Sequence, residues 1–206
     1  WRRVFVYDFQ KEANSGFRKA IVKALDDYLP ELARQRKERE ENKLKVNEPL
    51  KIKTTIAFDE TKYEIYEDAK KSYQKPFYLL KEYHGRGNET AFIRYLENDQ
   101  NVEYWYKNGS CGKDDFSIIY YSTIENTKKL FYPDWIVIYQ NGDIGIFDTK
   151  SGNTSVQESQ DTRDKLNALA EFVENLNRVS QKHYIAGIME PHAGTWNLIE
   201  KVSVDL

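Results

Sequence analysis

The chain has a single cysteine, Cys111, among 206 residues, so neither a disulfide framework nor a multi-cysteine zinc site can be built from it. A lone thiol fits a reducing compartment, and the expected location is the cytoplasm. Its three histidines, His84, His183 and His192, are scattered without metal-ligand spacing, and no role follows for them. There is no large excess of either charge: 31 Lys and Arg stand against 33 Asp and Glu, a net charge of −2. That balance excludes a protein that holds nucleic acid by overall charge and requires any basic surface to be local. No apolar run approaches the roughly 18 residues of a membrane span, so no membrane partner is expected. The opening WRRVFVYDF has neither an initiator methionine nor a signal-peptide pattern, which leads us to expect a fragment of a longer protein.

What is present is a chain 40% apolar and 14% aromatic, rich enough to bury one main core. Residues 1–48 read as an N-terminal helical extension and charged linker. In it, NSGFRKAIVKALDDYLP offers Asn14 or Ser15 as N-cap, apolar positions at helical spacing and a stop at Pro30. The mixed-sign run ELARQRKEREENKLKVNEP that follows suits a solvated helix or linker. Residues 49–84 read as an irregular or short-strand connecting segment, and residues 85–206 as the main domain.

Within that domain NETAFIRYLEN predicts a helix with Asn88 as N-cap and Phe92, Ile93 and Leu96 as its buried face, the face on which Glu89 also lies. VEYWYKNG and FSIIYYS predict strands. Their successor, FYPDWIVIYQNGDIGIFDTKSG, predicts a hairpin. A long helix carrying Leu166, Leu169, Val173 and Leu176, a strand HYIAGIM and an apolar end WNLIEKVSV complete the pattern. Sequential hairpins followed by a helix and a further strand predict an α/β fold, a mixed central sheet flanked by helices on both sides.

The hairpin is apolar except for Asp134, Asp148 and Lys150, and its turn, Asn141-Gly142, admits two registers. A two-residue loop sets Asp134 opposite Thr149. A three-residue loop, with Gly142 left-handed in a G1 bulge, sets Asp134 opposite Asp148 and brings all three charges to one face. Seen singly, Asp134 suits a turn aspartate after Pro133 and Lys150 a strand-end lysine. Together, two opposed carboxylates destabilise a sheet unless a cation lies between them. Oxygen ligands without histidine or cysteine favour Mg2+, with Mn2+ as substitute. Lys150, on the same face, would aim its ammonium at whatever the metal binds, a set suited to phosphodiester hydrolysis.

YPD followed by DTK, with NETAFIRYLE upstream, resembles the PD-(D/E)XK nuclease signature, and residues of about 85–190 resemble the C-terminal nuclease domain of type III restriction endonucleases and related helicase–nuclease proteins. The resemblance implies a restriction-endonuclease-like core and a Mg2+-dependent endodeoxyribonuclease with Asp134, Asp148 and Glu89 at the metal and Lys150 positioning the water. That family often has glutamate where this chain has Asp148. It further implies DNA as partner, a helicase/ATPase motor in the same parent chain, and a methyltransferase or specificity subunit in a restriction or phage-defence system. Lys165 and Gln160 are candidates for contact with DNA phosphate. Two other readings stay open: a catalytically inactive nucleic-acid-binding or scaffolding domain of the same fold, and an enzyme acting on a small phosphorylated substrate.

Overall fold

The chain divides into two compact units, Trp1–Glu48 and Pro49–Leu206. The computed structural model describes Lys23 and residues 58–83, 87–110 and 115–202. Apart from Lys23, the predicted N-terminal helix and charged run lie outside the described residues, as do His84 and Cys111. In chain order the second unit contains β1 (Tyr63–Ile65), β2 (Tyr78–Leu80), α1 (Gly87–Asn98), β3 (Val102–Lys107), β4 (Ile118–Ser122), β5 (Thr127–Phe131), β6 (Trp135–Tyr139), β7 (Ile144–Thr149), α2 (Gln160–Val179), β8 (Tyr184–His192) and β9 (Thr195–Ile199).

The main sheet has five strands in the order β3-β6-β7-β8-β9. It is mixed: β7 and β8 are parallel, joined through α2, while the other neighbours are antiparallel. Successive strand residues point to opposite faces, and the hydrophobic pattern divides accordingly. Trp105, Trp135, Val137 and Phe147 pack with Phe92, Ile93 and Leu96 of α1. Ile146 and Ala186 pack with Leu169 and Val173 of α2 on the other face. The stripes at helical spacing thus seat one helix on each side.

Two features depart from the sequence reading. The helix α1 begins at Gly87, so Asn88 lies in its first turn instead of capping it, and its amide donates to Ser151 Oγ. Among the described residues the strands expected from VEYWYKNG and FSIIYYS are not neighbours: β4 pairs with β5 in a separate two-stranded sheet, and β3 pairs with β6. Residues 58–83 contribute Tyr66, Ala69, Phe77 and Leu79 to the core around Trp105. Their two short strands pair antiparallel.

Candidate active site

The hairpin register is that of the three-residue loop. Ile136 pairs with Ile146 and Ile138 with Ile144, while Gly142 has φ of +89° and its N–H donates to Tyr139 O at 2.9 Å. A left-handed residue there suits glycine, which pays no Cβ penalty. This register aligns Asp134 with Asp148 by position, but β6 begins at Trp135 and the ladder stops with Trp135 and Phe147. Asp134 therefore sits one residue outside the strand. Its Oδ2 accepts from Thr149 N at 3.3 Å and Thr149 Oγ1 at 3.2 Å, and its Oδ1 accepts from Lys107 Nζ at 2.9 Å.

Asn108 fixes that position. Its N–H donates to Asp134 O at 2.8 Å, and its side-chain amide donates to Pro133 O at 2.9 Å and Phe116 O at 2.7 Å. Its own carbonyl accepts from Phe116 N at 3.1 Å, so a buried side chain clamps the Tyr-Pro-Asp turn against the start of β4.

Asp148, next to last in β7, is 2% exposed and its Oδ2 has no hydrogen-bond partner. Lys150 Nζ stands 2.6 Å from that oxygen as an ion pair. Burial and then the charge of Asp134 push the Asp148 carboxyl up to about 7, with Lys150 only partly opposing them. Asp134 moves the other way. Burial alone would raise it, yet the charge and hydrogen bond of Lys107 and a bond to Asp148 hold it below the usual aspartate range. The two adjacent carboxyls are thus driven in opposite directions, Asp148 up and Asp134 down.

Glu89 lies in the first turn of α1, brought to the sheet by the burial of Phe92 and Ile93. It does not reach Asp134 directly. Lys107, the last residue of β3, places its ammonium 2.8 Å from Glu89 Oε1 and 2.9 Å from Asp134 Oδ1. Burial, the largest influence on Lys107, would lower its pKa, but the charges of Asp134 and Glu89 prevail and raise it. A cavity of about 390 Å³ opens beside this cluster, lined in part by Glu89, Lys107, Asp134, Trp135, Phe77 and Tyr78.

The donor set consists of carboxylate oxygens, and a buried acid oxygen without a hydrogen bond suits a hard divalent cation. The fit covers two acids. Among the described residues no three His, Cys, Asp or Glu side chains converge as a metal site, and the Lys107 ammonium stands between Glu89 and Asp134.

The model of the YagJ family matches residues 82–202, more than half of the chain. The chain belongs to the YagJ family. No curated protein and no solved structure matches it significantly. The family segment contains Glu89, Lys107, Asp134, Asp148 and Lys150.

Gln160 and Lys165 stand elsewhere in the polar network. Gln160 Nε2 donates to Asp164 Oδ1 at 2.8 Å and its Oε1 accepts from Arg163 Nε at 3.0 Å. Lys165 pairs with Asp161 at 2.6 Å and lies over the rings of Tyr120 and Phe131. Neither bonds to the acids or to Lys150. Sequence reasoning missed Lys107, Asn108 and Thr149. Lys107 ends a strand whose partner is β6, and only that pairing brings it to Asp134.

Proposed function

We propose that this domain is a metal-dependent endonuclease with a restriction-endonuclease-like core, hydrolysing phosphodiester bonds in DNA. The observation that carries the reading is Asp148: a 2%-exposed acid with an unbonded carboxylate oxygen, set beside Asp134 and Lys150 at the end of an apolar hairpin. A structural role for it is hard to find, since burying a carboxyl and placing it by a like charge both cost stability.

Asp134 and Asp148 would hold Mg2+, or Mn2+ in its place, with Glu89 as a third carboxylate. Such an ion, when bound, lowers the pKa of a coordinated water and neutralises phosphate charge. Lys150 then orients the attacking water and offsets the charge that grows on the phosphoryl oxygens. Thr149 and Asn108 hold the Asp134 carboxylate and backbone in place. The raised Asp148 carboxyl must lose its proton before it can serve as a ligand, so activity rises with pH toward and above about 7.

On this reading the domain works in the cytoplasm as part of a larger helicase–nuclease chain, with a methyltransferase or specificity subunit as partner, in restriction or phage defence. The near-neutral charge supports such dependence, because an autonomous DNA binder needs a basic excess. The alternative, an inactive nucleic-acid-binding or scaffolding domain, leaves the buried acid without a purpose. Incubating the chain at high concentration with supercoiled plasmid and with RNA, in magnesium, manganese or chelator, separates the two. Nicking of plasmid that requires metal is expected; intact plasmid under all three conditions favours the inactive domain.

A further inference from the structure

One cation already lies between two of the three acids assigned to the metal. The Lys107 ammonium is 2.8 Å from Glu89 Oε1 and 2.9 Å from Asp134 Oδ1. A magnesium ion shared by those carboxylates would take up the same approach, with ligand distances of about 2.0–2.1 Å, and two cations cannot share it without strong repulsion. The remaining acid has a cation of its own, the Lys150 ammonium at 2.6 Å from the buried Asp148 Oδ2. Lys107 differs in standing between two carboxylates, Glu89 and Asp134.

We propose that Lys107 is the resident counter-ion of the Glu89–Asp134 pair, and that a divalent cation must displace it before Glu89 can join Asp134 and Asp148 as a ligand. The proposal deepens the metal-dependent nuclease reading and rests on it. Space for the displaced side chain exists, since Lys107 borders the cavity of about 390 Å³. The Trp135 ring, 4.6 Å from the ammonium, gives it an aromatic face to move along. Once in the cavity the ammonium stands beside the site and not within it, free to meet a substrate phosphate. Lys107 is then a positioning residue that couples metal occupancy to the release of a positive charge.

Manganese binding to the whole chain, followed by the loss of the free-ion EPR signal, tests this with no substrate present. Lys107→Met keeps the apolar stem and removes the charge. It is expected to bind manganese about tenfold more tightly than wild type, the effect of roughly 1.4 kcal/mol of lost competition. Lys107→Arg should stay near wild type. Glu89→Gln should weaken binding slightly in wild type and several-fold in the Lys107→Met background, where Glu89 is no longer held. A merely structural Lys107 moves affinity the opposite way. Equal or weaker binding by a folded Lys107→Met overturns the inference and leaves the nuclease reading in place; no binding by wild type or variant overturns both. A second measurement needs no neutral variant. The Lys107 Hε–Cε NMR signal, assigned by its absence in Lys107→Arg, should shift on adding magnesium, and a signal that stays fixed overturns the inference.

Discussion

Asp148 is a buried acid raised first by burial and then by the charge of Asp134. Its folded-state pKa, up to about 7 from an ordinary 3.8, means the native state binds that proton more tightly than the unfolded chain. The sign follows: its contribution to stability is full below about pH 4 and is lost as pH rises toward 7 and beyond. Asp134, held low, gives the reverse contribution, lost only under more acid conditions. In chelator, Asp148→Asn should therefore flatten the fall in melting temperature between pH 5 and pH 8 and melt at least about 2 °C above wild type at pH 8, the shift that ~1 kcal/mol produces in a chain this size. A variant that melts lower than wild type across that range would show Asp148 to be structural. Lys150→Ala, the other residue-scale prediction, should lower single-turnover cleavage at saturating manganese by about 10²-fold or more, even though loss of the ammonium 2.6 Å from Asp148 favours metal binding. Wild-type rates at saturating metal would reduce Lys150 to a strand-end charge.

At the scale of elements, the turn before β6 is held by Asn108, whose side chain makes three hydrogen bonds in a buried setting. Asn108→Ala leaves Pro133 O, Phe116 O and Phe116 N without those partners and should cost about 2–3 kcal/mol in urea unfolding. A loss under 0.5 kcal/mol would mean that the turn holds itself. The hairpin it serves was the most legible part of the sequence. Asn-Gly at 141–142 leaves two registers, and the strands adopt the one that aligns Asp134 with Asp148. The helix stripes of α1 and α2 were legible for the same reason, a period that matches the element. Strand partnership was not. Periodicity says that VEYWYK is a strand and says nothing of whether it pairs with β4 or β6, so Lys107 could not be placed beside Glu89 and Asp134. Asn108 escaped notice likewise, since its acceptors lie on segments distant in sequence.

For the molecule as a whole, a balance of 31 basic and 33 acidic residues bears on how it meets DNA. The isolated chain should cleave weakly at physiological ionic strength, and its rate should rise as salt is lowered, because the few cationic contacts it can make are screened. Cleavage at 150 mM salt equal to that at 20 mM would show that the domain holds DNA without help. Fusion to a helicase motor is expected to restore efficient cutting by raising the local concentration of substrate.

Asp134 and Asp148 are expected to hold a divalent cation for phosphodiester hydrolysis. Supercoiled plasmid, incubated with excess wild-type chain or Asp148→Asn in a manganese series with a chelator control, tests it most directly. Nicking by the wild type that saturates with manganese, stops in chelator and falls by about 10²-fold or more in a folded Asp148→Asn is the predicted result. Equal nicking by the two proteins, or nicking by wild type that persists in chelator, would contradict it.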